Sequence, residues 1–245
     1  MTKLIGVNNV SVSSGSKIRL KNINLSIHAG EKVALIGPSG AGKTTLIEVI
    51  NGSLKPTTGD ISWKGRDINK ITRDQKVRIG TLWQDLRLIN ELSTCQNINA
   101  GALGRHNFLW AIGNLLNLVN QKACINCLKA VQLPLDIINI SVEDLSVGQR
   151  QRVAIARLLR QQADLVLADE PLSNLDPKRA NHILDLFLKQ KVIHSLHLPD
   201  TCLISLHRPE ILNRFTRIIG IKKGQISLNS PITEIRTDHI ASIYK

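Results

Sequence analysis

The sequence predicts an α/β fold: a parallel-stranded core, an antiparallel β layer beside it, and a helical subdomain inserted within a single domain spanning residues 1–245. Three observations lead there. Residues 32–36 (KVALI) are a short apolar run that enters a glycine-rich stretch at residues 37–45 (GPSGAGKTT), and residues 44–50 (TTLIEVI) begin a helix closed by Asn51 and Gly52. Residues 163–168 (ADLVLA) and 201–206 (TCLISL) are further unbroken apolar runs, which suit parallel strands covered on both faces. From approximately residue 86 to 160 the pattern turns largely helical, which places the inserted subdomain there.

The glycine-rich stretch fits G-x-x-x-x-G-K-[ST]. Gly37, Gly42, Lys43 and Thr44 hold the fixed places, with Pro38, Ser39, Gly40 and Ala41 between them and Thr45 following. The order strand, glycine loop, helix is the context the motif requires. Free amides and the positive end of the helix dipole then face a nucleotide's phosphates, Lys43 reaches the outer ones, and the Thr44 hydroxyl takes a magnesium position. A chance glycine turn is the alternative, and the flanking strand and helix argue against it.

Composition bounds the rest. At 245 residues and 42% hydrophobic, the chain can bury a substantial core. No apolar run approaches the roughly 20 residues of a membrane helix; the strongest, residues 108–119 (FLWAIGNLLNLV), contains Gly113, Asn114 and Asn117. The first residues, MTKLIGVNNV, lack a signal-peptide hydrophobic region, so a cytoplasmic location is expected. The balance of 32 Lys and Arg against 19 Asp and Glu gives +13 and suggests acidic partners: nucleotides, nucleic acid or an anionic membrane surface. The basic residues are dispersed and only 3% of residues are aromatic, which leaves little to stack bases, so nucleic acid is not expected. Cys124 and Cys127 form a C-x-x-C with no second pair at zinc spacing; with Leu128 and Val131 they lie on one face of a helix ended by Pro134, which reads as core.

In chain order, residues 4–27 read as strand, turn at Ser13 to Ser16, and strand, and residues 59–68 (GDISWKGRDI) alternate like a hairpin. Residues 78–83 (RIGTLW) read as a strand ending at Gln84. Phe108, Ile112, Leu115 and Val119 share a helix face, and residues 121–133 give the next helix. Residues 217–228 (RIIGIKKGQISL) read as a hairpin turning at Lys223 and Gly224.

Two clusters carry chemistry beyond the glycine loop. Asp169 and Glu170 follow a buried strand; in phosphate-loop nucleotidases a carboxylate here supports Mg²⁺ and a neighbouring base orients water, so Asp169 is assigned to the metal and Glu170 to the water. Residues 145–152 (LSVGQRQR) open a helix whose Ser146 and Gln149 make a capping box, which by itself predicts only a well-capped helix start. Ser146, Gly148 and the exposed amides also make a second anion-binding helix N-terminus.

Together these motifs resemble the nucleotide-binding subunit of an ATP-binding cassette (ABC) transporter over nearly the whole chain. The glycine loop, Gln84, the signature LSVGQRQR, the pair in LVLADE, the loop SNLD ending at Asp176, and His207 occur in that family's order. The resemblance implies a P-loop (RecA-like) core, ATP and Mg²⁺ as cofactors, and two subunits packed head to tail. Ser146, Val147, Gly148 and Gln149 of one subunit would meet the γ-phosphate held by residues 37–45 of the other. It further implies that Glu170 and His207 are catalytic, that Gln84 senses Mg²⁺ and the membrane partner, and that Asp176 links the two sites. Catalysis would then await closure of the dimer by ATP. The subunit would sit peripherally on the cytoplasmic face of the inner membrane, bound to permease subunits and served indirectly by a periplasmic solute-binding protein.

Within the family, residues 96–105 (QNINAGALGR) and the run that follows, with RQQADLVLADEP, resemble the phosphonate-import ATPases. That implies a phosphonate or a related oxyanion such as phosphite as cargo. Other readings are an importer for phosphate, polar amino acids or another small solute, or a cassette ATPase acting as a mechanical or regulatory module outside transport. Two positions depart from the family. No aromatic lies near Ser13 and Ser14 to stack on adenine, so base recognition should be weak or fall to other side chains. Val147 replaces a glycine, and a β-branched residue crowds the backbone's approach to phosphate. Val147→Gly is therefore expected to raise ATPase and transport rates; unchanged rates in both assays refute the crowding argument.

Overall fold

In the computed structural model the described residues are 2–119, 121–189, 192–194, 196–207 and 209–244. In chain order the strands and helices are β1 (Lys3–Ser14), β2 (Lys17–His28), β3 (Lys32–Ile36), α1 (Lys43–Ile50), β4 (Thr58–Trp63), β5 (Arg66–Asp67), α2 (Arg73–Lys76), β6 (Ile79–Leu82), α3 (Thr94–Ala100), α4 (Phe108–Leu115) and α5 (Lys122–Ala130). They continue with α6 (Val147–Gln161), β7 (Leu165–Ala168), α7 (Pro177–Leu188), β8 (Val192–Ile193), β9 (Leu196–His197), β10 (Thr201–Ser205), β11 (Arg217–Lys222), β12 (Gln225–Pro231) and α8 (Thr237–Tyr244). The chain divides into two compact units. The first gathers residues up to Thr72, Leu167–Glu170, and residues from Asp200 on; the second holds Arg73–Val166 and Pro171–Pro199.

In the first unit an antiparallel sheet has the order β2-β1-β4-β5, with Ile5 opposite both Ile27 and Trp63. Its inward side chains, Ile5, Leu20, Ile23, Ile27, Ile61 and Trp63, are almost wholly buried. Asn9 and Asn22, both at φ 50, break the β1–β2 register; asparagine tolerates this left-handed backbone, and the Asn24 and Ser11 side chains accept their amides. A second sheet runs β12-β11-β3-β10 and then the end of β7. β10 and β11 lie parallel to β3, and the β11–β12 hairpin is antiparallel. Every residue of β3 and β10 is buried, as continuous apolar runs in a covered parallel sheet should be. α8 packs on β11 through Ile243.

In the second unit α3, α5 and α6 pack together. Ser93 and Gln96 form a full capping box at α3, and a Cβ on Gly101 would fall 2.0 Å from the Arg157 carbonyl, so α3 ends hard against α6. Cys124, Cys127, Leu128 and Val131 are fully buried, which is the core face their spacing predicts. The helix carrying Phe108, Ile112 and Leu115 ends at Leu115, short of Val119. Gln96 Nε2 donates to the Asn114 and Leu115 carbonyls and Asn114 Nδ2 to that of Gln96, tying α4 to α3, yet Phe108 and Leu109 remain 77% and 75% exposed. α7 is not among the elements read from sequence, although Asp176 at its N-cap, Pro177 at its first turn and buried Ala180, Ile183, Leu184 and Phe187 mark it.

All four cysteines are buried; burial pushes the Cys127 and Cys202 thiols up to about 12, while the hydrogen bond with Cys124 lowers that of Cys95, which is shielded by its burial alone. Thiolate is the reactive form. The native protein is therefore expected to leave all four thiols unmodified by a chromogenic disulfide reagent at pH 8 and to titrate four after denaturation; fast native titration contradicts this packing.

Candidate active site

The first unit holds the glycine loop. β3 delivers the chain at Ile36, and α1 leaves it at Lys43. A Cβ on Gly37 would lie 2.2 Å from the Ile221 carbonyl oxygen, so only glycine lets the loop pass this close to β11. The Gly224 amide donates to the Ala41 carbonyl, and the Ala41 amide to that of Pro38. No side chain caps α1 and its first turn carries no acidic residue, so the amides at this helix start keep their positive field. Lys43 is 6% exposed, and its Nζ donates to the carbonyls of Gly37 at 2.8 Å and Pro38 at 3.1 Å. Burial lowers its pKa, while the charges of Glu170 and Asp169 partly offset that effect.

β7 ends at Ala168, so Asp169 and Glu170 emerge beside the end of β10. Asp169 is 1% exposed, and both its carboxylate oxygens are used. Thr44 Oγ1 donates to Oδ2 at 2.6 Å and Ser205 Oγ to Oδ1 at 2.6 Å. The Glu170 amide donates to the same Ser205 hydroxyl, and His207 Nε2 donates to Glu170 Oε1. Glu170 sits at φ 50, a left-handed backbone that costs a glutamate on the order of 1 kcal/mol and is held by these bonds. Lys43, Thr44, Asp169, Glu170 and His207 thus form one constellation in one unit.

The second unit holds the other predicted residues. Ser146 caps α6: its Oγ accepts the Gln149 amide, and Gln149 Oε1 accepts the Ser146 amide. The next turn bonds back through the Arg150 amide to the Ser146 carbonyl, which leaves the Val147 and Gly148 amides without acceptors inside the helix. Val147 is 51% exposed. A Cβ on Gly148 would lie 3.1 Å from the Asn174 carbonyl, and the two line a pocket of about 270 Å³ with Ser146, Gln149, Asp176 and Arg179. Asp176 caps α7, and its carboxyl is held below the usual carboxylate range, first by the Arg179 amide and then by the Arg179 side chain. Gln84 follows β6 and is exposed, at the start of a turn in which Leu86 and Arg87 both have positive φ. Arg157 of α6 clamps that turn by donating to the Leu86 and Arg87 carbonyls at 2.5 and 2.6 Å.

Three side chains of these sites are not singled out in the sequence: Ser205, Arg157 and Tyr244. Each acts on backbone far away in the chain. The phenol of Tyr244, on α8, lies against the Gly37 amide, and burial raises its pKa. Only Ser205 carried a signal, as a polar residue closing an apolar strand two places before His207.

The profile of the ABC transporter family matches residues 20–173. A phosphonates import ATP-binding protein (PhnC) of Fusobacterium nucleatum is 33% identical over 250 residues, covering 100% of this chain and 99% of the relative. One from Pseudomonas syringae is 37% identical over 240 residues, covering 94% of this chain and 87% of its own. Among solved structures, the dimeric ATP-binding cassette MJ0796 in a post-hydrolysis state with ADP and phosphate matches with a TM-score of 0.77 at 27% identity, covering 94% of this chain and 99% of that one. CbiO1 of Clostridium perfringens, part of the transporter complex cbiONQ, matches with a TM-score of 0.75 at 26% identity, covering 98% and 93%. The chain belongs to the ABC transporter family, and its fold is that of the family's ATPase cassette.

The Gly37 approach gives a direct check. Gly37→Ala should lower stability by about 1–3 kcal/mol through overpacking against Ile221 and weaken binding of a fluorescent ATP analogue. Thermal melts and titrations that match wild type contradict the close approach.

Proposed function

We propose that the chain binds ATP with Mg²⁺ at the first-unit constellation, hydrolyses it with Glu170 as the base, and so drives an importer for a phosphonate or related phosphorus oxyanion. The observation that carries the reading is the placement of Asp169 on the Thr44 hydroxyl while Glu170, the next residue, is paired with His207. The chain is an ABC-type ATPase.

Each residue then has a task. The amides of residues 37–45 and the start of α1 bind the phosphates, and Lys43 turns its ammonium from the Gly37 and Pro38 carbonyls to the outer ones. The Thr44 hydroxyl and Asp169 carboxylate are hard oxygen donors, the set Mg²⁺ prefers when phosphates and water complete its shell. When bound, the cation neutralises charge on the transferring phosphate. Glu170 orients a water and takes its proton, and His207 holds that carboxylate and faces the γ-phosphate. The Ser146 hydroxyl and the Val147 and Gly148 amides have no phosphate of their own loop to serve, and we assign them, with Gln149, to the γ-phosphate held by a second copy. Asp176, at the rim of the same pocket, links the two sites.

Two further features support the transport reading. Among the described residues no helix is long and apolar enough to cross a membrane; in this reading permease subunits supply the translocation path and the chain sits peripherally at the cytoplasmic face of the inner membrane. α4 and the residues after it expose Phe108, Leu109, Leu116 and Leu118, an apolar face that a permease loop would cover. The choice of a phosphorus oxyanion rests on the likeness to the relatives named phosphonates import ATP-binding proteins, at 33% and 37% identity, and delivery of the cargo by a periplasmic binding protein is part of the same proposal.

Reconstituted with its permease and binding protein, the chain should drive uptake of an alkylphosphonate. Glu170→Gln should cut ATP turnover by roughly 10²–10⁴-fold while ATP binding persists. Uptake of phosphate or an amino acid with no phosphonate uptake contradicts the cargo; a Glu170→Gln chain that turns over like wild type contradicts the base.

A further inference from the structure

We infer that Ser205 is a positioning residue for hydrolysis, acting on Asp169 and Glu170 together; this rests on the reading of those two carboxylates given under the proposed function. Ser205 closes β10, is fully buried, and uses its hydroxyl twice. It donates to Asp169 Oδ1 at 2.6 Å and accepts the Glu170 amide at 2.9 Å. A hydroxyl has one proton to give and lone pairs to accept, so a single Oγ serves both neighbours without competition.

The two bonds have separate consequences. The bond to Oδ1 fixes the rotation of the Asp169 carboxylate and leaves Oδ2 directed at Thr44, whose hydroxyl it accepts at 2.6 Å. The bond from the Glu170 amide anchors the peptide that carries the left-handed Glu170 backbone, at φ 50, and thereby aims its side chain at His207. Alanine at 205 would free the Asp169 carboxylate to rotate and leave the Glu170 amide without its acceptor. The glycine loop and Lys43 make no direct hydrogen bond to Ser205; the link runs through Asp169 to the Thr44 hydroxyl, a metal donor and not one of the phosphate-binding amides, so nucleotide binding without metal should change little. Loss of Ser205 should therefore separate binding from chemistry. The chain runs on from Ser205, at the end of β10, to His207, so one strand end places two of the groups around Glu170.

The test uses the full chain with Ser205→Ala, Ser205→Thr and Ser205→Cys. For Ser205→Ala the expected result is a fall in kcat of about tenfold or more, a several-fold higher Mg²⁺ concentration for half-maximal binding of a fluorescent ATP analogue, and unchanged binding of that analogue in EDTA, in keeping with the loss typical of outer-shell groups. Ser205→Thr, which retains the hydroxyl, should recover most of both losses. Ser205→Cys keeps the size with weaker hydrogen bonding and should fall between alanine and wild type, which preserves the comparison should the alanine chain fail to fold. A kcat within twofold of wild type for alanine, or for cysteine should the alanine chain fail to fold, with an unchanged Mg²⁺ requirement, overturns the inference. So does an equal loss of analogue binding in EDTA, which marks general damage to the fold. Glu170→Gln measured in parallel keeps the two readings apart: wild-type turnover there sinks the assignment of the base, whatever Ser205 does.

Discussion

The buried carboxylate of Asp169 constrains everything around it. A charged carboxylate taken out of water costs several kcal/mol unless hydrogen bonds replace its hydration, and here both oxygens are satisfied by hydroxyls. One hydroxyl belongs to the glycine loop, through Thr44, and the other to the end of β10, through Ser205. Asp169 therefore ties the start of α1 to two neighbouring strand ends, and the first unit cannot shift one of them without orphaning a buried charge. The strain at Glu170 follows: it is the next residue, and its left-handed backbone persists because the amide and the side chain are each held.

The two helix N-termini assigned to the proposed site are built differently. α1 has no side-chain cap, and its glycine loop leaves the full set of amides to an anion. α6 is half closed: the Ser146–Gln149 box satisfies its third amide and leaves those of Val147 and Gly148. The first suits a polyphosphate held throughout a cycle, the second a transient contact with one terminal phosphate. Arg157 adds a link inside the second unit, since the helix that begins at Val147 also grips the turn after Gln84.

What the sequence discloses depends on how local the signal is. The glycine loop, the strand–turn–helix around it and the Ser146 box are written in adjacent residues, and the core face of Cys124, Cys127, Leu128 and Val131 follows from helical spacing. Spacing is silent on what covers a face: Phe108, Ile112 and Leu115 align on α4 as expected, but two of the three stand largely in the open. Ser205 meets Asp169 at a separation of 36 in the chain, and Arg157 reaches Leu86 at one of 71, separations at which no periodicity operates. α7 was legible from Asp176 and Pro177, but the SNLD loop reads first as chemistry and its capping role is hidden behind that.

The central claim is that the first-unit site is finished by the second unit of another copy, and sedimentation of the Glu170→Gln chain measures this most directly. Slowed hydrolysis lets the ATP-bound form accumulate. The account predicts a monomer that becomes a dimer when ATP and Mg²⁺ are added, and a Glu170→Gln chain also carrying Ser146→Arg that stays monomeric with ATP bound. A chain that sediments identically with and without ATP, or one whose dimer ignores the change at Ser146, would contradict it.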